Sequence, residues 1–518
     1  MLDLKRVSHA SIFLLFISLI KSLLSLALKR SIAQVFGADP ATDAYFAALT
    51  IPQQFGDFLI GGILFMVIVP VFQKQKNNSG ESEASEQISG LLKLMLILLL
   101  LMTTVYFLLI PLIIPALFPG FDKETIRQTI YLSKLFSPAL LLMGMSLIYT
   151  AFYHSYRSFF VPALASLIFP TTSLISIWFL PASWGIDRLI YGNLTGVIIS
   201  LVGMIFFIHN RLPWNWKNWS LFNPTSKEVM ILVWPLFLSI SIGRLVPVVQ
   251  KSAASAYSGG ISLLEYALFL SNFALGIVLA PLASSIFPLL SEQSSTSSST
   301  EVFDTFNRSL KTIIFLVFPL FLLLFFQAEN IIGLLFGYGK FTTDEVRVCG
   351  LLTAILAFTI IPLSVNRLTH QLFFALRKTQ SISILLSINY ILSIPVFLIM
   401  GKKFSLSGIA IAYLALQVSI CLTSTILLKC KCPVYSPMNL IKSSGKLILT
   451  VLITTGIIYL LQFLLPEAQP PALKFCLNLI VLGAVYLITA RLIRQEELNF
   501  ILKRIPLMSR LFPWLTFD

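Results

Sequence analysis

Apolar stretches about 20 residues long recur from one end of this 518-residue chain to the other. Each is long enough to cross a hydrocarbon core roughly 30 Å thick. Windows such as Leu91–Leu117 and Ile313–Phe326 are long and apolar without alternation, which excludes the short dyad-patterned strands of a membrane barrel. Only helices then satisfy the backbone within each segment. Hydrophobic residues make up 57% of the chain and charged residues 11%, and a soluble fold cannot hide so much apolar surface. The sequence therefore predicts an all-α polytopic membrane protein of about fourteen transmembrane helices. The spans fall near 9–36, 43–72, 88–117, 127–155, 159–181, 187–209, 228–257, 263–290, 306–327, 345–376, 380–400, 405–429, 443–465 and 471–491.

The formal net charge of +15 could suggest nucleic acid, but the lysines and arginines sit mostly in short connections beside the spans. That pattern marks topology. Lys5 and Arg6 precede the first span, and the even-numbered connections carry Lys74, Lys76, Arg157, Arg211, Lys217, Arg308, Lys311, Arg377, Lys378, Lys429 and Lys431. These connections, and with them both termini, are expected in the cytoplasm, although Lys402 and Lys403 break the pattern. Lys21 interrupts the first apolar stretch and no small-residue cleavage pattern follows it, so it is expected to remain as a span. The five cysteines form no disulfide framework and are expected reduced. Two polar connections, Lys74–Gln87 and Ser291–Thr300, read as solvated linkers.

An internal repeat with an offset of about 220 residues organises the spans. Arg30–Phe36 parallels Lys251–Tyr257, Ile68–Gln75 parallels Ile286–Gln293, and Leu117-Phe118 parallels Leu335-Phe336. Each unit holds six spans, an even number, so the two lobes share one orientation, and such a parallel repeat places a substrate site at its interface. Two C-terminal helices stand outside it. The expected organisation is an N-lobe over 1–211, an interfacial linker over 212–227 containing Trp214, Trp216 and Trp219, a C-lobe over 228–430, an accessory helix pair over 431–494 and a cytoplasmic tail over 495–518.

Ionisable side chains within spans are costly and normally face a cavity or a partner. In the first span Lys21, Ser25 and Lys29 are four apart on one face, with Arg30 beside them; in the seventh, Arg244 and Lys251 are seven apart. A cavity walled by such cations would attract phosphate or pyrophosphate, so these five residues are the candidate substrate ligands. Alternatively, Lys29, Arg30 and Lys251 snorkel to a headgroup region. The eighth span supplies no acid at the depth of Arg244, which makes Arg244 the preferred phosphate ligand. Lys21 and Asp57 lie at similar depths and could pair, either structurally or as a gate. Asp43 and Glu265 open the second and eighth spans, where a carboxylate complements the helix dipole or latches to Lys29, Arg30 or Lys251. The four histidines have no metal-ligand spacing and there is no phosphate-binding glycine loop, so neither an enzyme, a cofactor nor a metal is expected.

The chain resembles the MurJ/MviN-type lipid II flippases of the multidrug/oligosaccharidyl-lipid/polysaccharide exporter superfamily. The likeness rests on Val35-Phe36-Gly37-Ala38 followed by Ala41-Thr42-Asp43-Ala44-Tyr45-Phe46, on Ile51-Pro52, Val69-Pro70 and Phe287–Ser291, and on Leu335-Phe336-Gly337-Tyr338-Gly339-Lys340-Phe341-Thr342 and Phe373-Phe374-Ala375. The resemblance implies a cationic cavity between two lobes and a final helix pair whose groove takes a lipid tail. It further implies alternating access that moves an undecaprenyl-pyrophosphate-linked glycan, lipid II first, from the cytoplasmic to the outer leaflet of the bacterial inner membrane. Asp43 matches a functional position of the family, and Asn389 a sodium-site position. The family's arginine positions fall near Ser22, Leu28, Gly56-Asp57 and Phe269, so cationic function would rest on Lys21, Lys29 and Arg244. Coupling to the membrane potential, to H+ or to Na+ stays open. The partners expected are the lipid-linked anionic oligosaccharide, membrane lipids and the cell-wall synthesis machinery, with the chain a monomer and no nucleic acid bound. The alternatives are a flippase for another lipid-linked polysaccharide unit, of O-antigen or exopolysaccharide type, and a non-transporting membrane scaffold.

Overall fold

The computed structural model describes residues 4–58, 69–156, 158–208, 241–296, 298–435, 445–464 and 471–499. The linker over 212–227 and the tail beyond 499 lie outside the described residues. Among those described, the ordered elements are helices and no strand occurs. In chain order they are α1 (Leu4–Phe36), α2 (Pro40–Ala48), α3 (Thr50–Phe58), α4 (Val69–Leu117), α5 (Lys123–Phe136), α6 (Pro138–Ser155), α7 (Phe160–Phe179) and α8 (Asp187–Ile208). A helix over 241–254, α9, follows. Then come α10 (Gly260–Thr296), α11 (Ser299–Phe326), α12 (Ala328–Phe336), α13 (Thr343–Ala357), α14 (Ile360–Ala375), α15 (Thr379–Lys431), α16 (Gly445–Leu464) and α17 (Pro471–Leu492).

Six of these helices are long and apolar enough to cross a membrane, or up to eight when each of two bent pairs is taken as one span. That is fewer than the fourteen expected. Part of the difference lies in α15, whose 53 residues would reach about 80 Å if straight. It breaks at Phe404 and Ser405, where Ser405 takes φ 55° and ψ −144°, so two arms meet at the place where the sequence divides spans 380–400 and 405–429.

The two polar linkers are largely helical. Helix α4 runs unbroken through Lys74–Gln87, and α10 continues to Thr296 before α11 begins at Ser299. Ser, Glu, Gln and Lys without proline permit a helix to continue into water, so polarity alone does not end one.

Two compact units divide the chain: Met1–Leu263 with Tyr338–Phe341, and Leu264–Gly337 with Thr342–Asp518. In the first, α7 packs along both α1 and α8, α6 packs on α4 and α8, and α2 packs on α5. Its core gathers Leu92, Leu99, Ile148, Phe152 and Met204. Asp122 caps α5 and its carboxylate is held below the usual carboxylate range by the Thr125 hydroxyl. In the second unit, α14 packs on α11 and α15, α12 on α13, and the pair α16 and α17 packs together and against α11. The Tyr486 ring lies tilted against that of Phe315, with centres 5.1 Å apart, and its hydroxyl donates to the Phe315 carbonyl oxygen at 2.7 Å.

The repeat is visible inside each unit. Helices α5 and α6 form a pair bent by 42°, and α13 and α14 a pair bent by 43°. Lys123 and Thr343, which open the two pairs, stand 220 residues apart, matching the sequence offset. At each bend a hydroxyl turns back on the chain: Ser137 Oγ donates to the Lys134 carbonyl at 2.8 Å and Thr359 Oγ1 to that of Leu356 at 2.6 Å.

The α15 break offers a paired test. A residue with a side chain at the Ser405 dihedrals is strained by about 1–3 kcal/mol, whereas a Cβ on Gly408 would lie 2.0 Å from the Met400 carbonyl oxygen. Ser405→Gly should therefore raise the unfolding midpoint in detergent, by about 1 kcal/mol in stability. Gly408→Ala should lower it by about 1–3 kcal/mol.

Candidate functional site

Helix α2 is nine residues long and almost wholly buried: every residue from Thr42 to Ala48 is inside. Its start is set by Asp39, whose carboxylate accepts from the Thr42 backbone N–H at 2.8 Å and hydroxyl at 2.9 Å, with Pro40 at the first position. A turn at Leu49 separates it from α3, so the second predicted span begins with a break.

Asp43 lies in the first turn of α2 and is 1% exposed. Its Oδ1 accepts from the Ser262 backbone N–H at 2.7 Å and from the Ser262 hydroxyl at 2.6 Å. Ser262 is in the first turn of α10, where N–H groups have no partner within the helix, so Asp43 acts as a remote cap. A carboxylate there also meets the positive end of the helix dipole. Glu265 does not repeat this role. Helix α10 begins at Gly260, which leaves Glu265 in the second turn instead of the first.

Lys251, 5% exposed on α9, donates from Nζ to the Phe46 carbonyl oxygen at 3.1 Å. The same oxygen accepts from Thr50 Oγ1 at 2.9 Å, so the carbonyl before the α2–α3 break is doubly bonded. From α1, Lys29 Nζ stands 4.1 Å from the centre of the Phe46 ring. The structure thus brings Lys29, Asp43 and Lys251 together around one short helix.

Arg30 points to a different neighbour, with its guanidinium 5.1 Å from the Tyr338 ring centre. Tyr338–Phe341 docks on the end of α1: the Lys340 N–H donates to the Gln34 carbonyl at 2.9 Å. Gly339 sits there at φ 66°, and a Cβ on it would lie 2.1 Å from the Gln34 oxygen. Lys21 is eight residues and Arg244 seven residues from the α2 contacts along their own helices, so they lie about 12 Å and 10 Å deeper. Asp57 belongs to α3, but its side chain lies outside the described residues, and so does any pairing with Lys21. Asn389 sits in the second unit and joins the two arms of α15. Its Nδ2 donates to the Leu385 carbonyl at 2.9 Å and to Thr423 Oγ1 at 3.2 Å, and its Oδ1 accepts from Ser419 at 2.6 Å.

Sequence reasoning missed three contributors. Arg188 is 8% exposed on α8, donates to the carbonyls of Ile177 at 2.6 Å and Gly185 at 3.1 Å, and lies 4.9 Å from the Phe36 ring centre. Asn193 donates to the Tyr45 hydroxyl at 2.9 Å and accepts from Ser173, linking α7, α8 and α2. Ser262 accompanies Asp43. An intramembrane arginine and asparagine in the eighth helix were available signals, whereas a serine in a helix's first turn carries none.

What this arrangement can do is hold or release a buried helix through polar contacts at both of its ends. Among the described residues no group of three or more His, Cys, Asp or Glu could hold a metal ion.

The family model described as lipid II flippase MurJ matches residues 32–472. A protein named probable lipid II flippase MurJ from Buchnera aphidicola subsp. Baizongia pistaciae is 23% identical over 384 residues, which cover 70% of this chain and 74% of that protein. One of the same name from Thermotoga maritima is 20% identical over 478 residues, covering 91% and 94%. Among solved structures, lipid II flippase MurJ in an inward closed conformation superposes with a TM-score of 0.80 at 21% identity, covering 93% of this chain and 98% of that one. An inward-facing multidrug resistance MATE family transporter gives 0.67 at 13% identity, covering 82% and 96%.

Asp43→Ala should leave the Ser262 N–H and hydroxyl without their acceptor, costing about 1–3 kcal/mol of stability. Asp43→Asn, which keeps one acceptor oxygen, should lose less than half of that. Detergent-unfolding midpoints of the three proteins check the order.

Proposed function

Because the chain belongs to the lipid II flippase MurJ family, we propose that it carries lipid II from the cytoplasmic to the outer leaflet of the bacterial inner membrane by alternating access. The observation that carries this reading is the convergence on α2. Lys29 from α1 and Lys251 from α9, within one residue of matching places on the first helices of the two repeats, contact the same residue of one buried helix. A helix held in this way is a gate element: Asp43 fastens its start to α10 and Lys251 fastens its end to α9.

The diphosphate of the substrate is received by Lys21, Lys29, Arg30, Arg244 and Lys251. Arg244 and Lys21 are the deeper pair, and Arg244 offers the planar fork that matches a phosphate with two N–H donors. Asp43, Asp57 and Glu265 govern opening. The undecaprenyl tail takes the groove of about 690 Å³ lined by Phe325 and Phe326 of α11 and by Leu452, Thr455, Gly456 and Tyr459 of α16. Its lining is mostly apolar, as a hydrocarbon chain requires. The chain acts as a transporter and carries out no bond chemistry. The membrane potential, H+ or Na+ supplies the drive, with Asn389 the residue to test for Na+. Its termini face the cytoplasm, it works as a monomer, and its product passes to the cell-wall synthesis machinery. The reading as a flippase for another lipid-linked glycan draws no support from the relatives above.

Reconstituted vesicles that report lipid II on each leaflet test the reading. The wild-type chain should move it, and Arg244→Ala should slow transport at least tenfold, with Arg244→Lys intermediate. Unchanged transport by Arg244→Ala would remove that residue from the substrate site. Failure of the wild type to move lipid II, with transport of another undecaprenyl-linked unit, would reassign the substrate.

A further inference from the structure

The two arms of α15 meet at Phe404 and Ser405 and are fastened again at their far ends, where Lys378 caps the start of the helix and Cys432 its finish. Lys378 Nζ donates to the Lys431 carbonyl oxygen at 2.6 Å and to Cys432 Sγ at 3.1 Å. A carbonyl in the last turn of a helix has no partner inside it, and a lysine near that end can supply one. The thiol is the second acceptor of the same ammonium, so it forms part of the closure of this helical hairpin.

The surroundings of Cys432 differ from those of the other cysteines. Cys349 is buried and Cys421 half-buried in the middle of a helix, whereas Cys432 is half-buried at a helix end with an ammonium on its sulfur. Reactive thiols occupy electropositive, partly exposed places. Arg377, Lys429 and Lys431 add to the positive charge, and neither 374–382 nor 426–435 contains an acid. Cys430 is exposed and two residues away. Residues two apart have Cα atoms within about 7 Å, and a disulfide asks for roughly 4.4–6.8 Å. An accessible thiol beside a second one is the arrangement of a redox sensor.

We propose that Cys432 is a peroxide-sensitive thiol, with Cys430 its resolving partner and Lys378 its positioning residue. The Cys432 sulfur attacks one oxygen of a hydroperoxide: the S–O bond forms, the O–O bond breaks, and the leaving oxygen takes a proton from the Lys378 ammonium or from water. Cys430 then attacks the sulfenic sulfur, an S–S bond replaces the S–O bond, and the oxygen leaves as water. The two thiols lose two electrons and two protons, and the hydroperoxide that gains them becomes an alcohol and water. The disulfide draws Cys432 off Lys378 and loosens the closed end of the hairpin, and reduction by a small thiol restores it. None of this depends on which lipid the chain carries.

Dilute hydrogen peroxide added to the full chain in lipid nanodiscs, followed by alkylation of the remaining thiols and peptide mass spectrometry, tests it. A Cys430–Cys432 disulfide should form before Cys349 or Cys421 changes. Oxidation of Cys421 as fast as Cys432 overturns the proposal on the unsubstituted chain, whatever the variants do. Cys430→Ser should halt the reaction at a sulfenic acid on Cys432 that dimedone captures, and no capture there overturns it. Lys378→Met should slow oxidation by about threefold or more, with Lys378→Arg keeping most of the rate. An unchanged rate in a Lys378→Met protein with wild-type elution and melting overturns the role of the lysine. Amide hydrogen exchange across 374–380 and 428–433 should rise on oxidation and fall back with dithiothreitol, and exchange that does not move overturns the loosening.

Discussion

A peptide group inside a bilayer has no water to bond, so each place where one of these helices breaks has to find hydrogen-bond partners within the protein. The breaks here meet that demand with side chains. Thr50 returns a hydroxyl to the Phe46 carbonyl, Ser137 to that of Lys134 and Thr359 to that of Leu356. At α2 a lysine from a distant helix is added to the local hydroxyl. A break capped by its own neighbours is a permanent bend. One that depends on a residue 205 positions away can be made and unmade as the helices carrying the two groups move. That difference separates the α2 break from the bends in the α5–α6 and α13–α14 pairs.

The repeat gives the same result from the other direction. The 42° and 43° bends occupy corresponding places, so that part of the architecture was duplicated intact. The connections that follow are not alike. Between α7 and α8 the chain passes through Pro181 and a short 3-10 turn over Ala182–Trp184, whereas the corresponding arms of α15 meet directly at Phe404 and Ser405. Asp43 and Glu265 also diverge, because α10 starts early enough to put Glu265 in its second turn. The residue that the first turn of α10 needs is supplied instead by Asp43. Duplication preserved the bends, and the polar contacts at the helix ends became asymmetric.

How much could be read from the chain follows from this. Apolar stretches, the helical class, the repeat offset, the α15 division and the interest of Lys29, Asp43 and Lys251 were all legible, because each depends on residue type and spacing along one helix. The partners were not. Ser262 as the acceptor's counterpart, Asn193 beneath Tyr45 and Phe46 between two lysines are contacts between distant segments, and periodicity carries no information about them. The helical state of the polar linker at Lys74–Gln87 was not legible for a local reason: its residues are soluble, yet none of them stops a helix. The motif blocks Val35–Ala38 and Gly339–Phe341 stand about three hundred residues apart in sequence, and the fold brings them together, with Lys340 bonded to Gln34 and close to Gly37.

The arrangement of cations also carries an argument about how a charged headgroup could pass. A site that bound a diphosphate through fully exposed, unrestrained lysines would lose much rotamer entropy on each encounter. One whose lysines were locked in buried ion pairs would have to break those pairs first, at several kcal/mol apiece. Lys29 is placed over the Phe46 ring and Lys251 on the Phe46 carbonyl oxygen, so both ammonium groups are oriented before a headgroup arrives. Lys21 and Arg244 lie about 10 Å further along the same two helices. On the proposed reading, the cations nearest α2 are tied to the helix that opens, and the deeper ones receive the headgroup. That reading makes attraction and gating properties of the same two polar faces, one on α1 and one on α9.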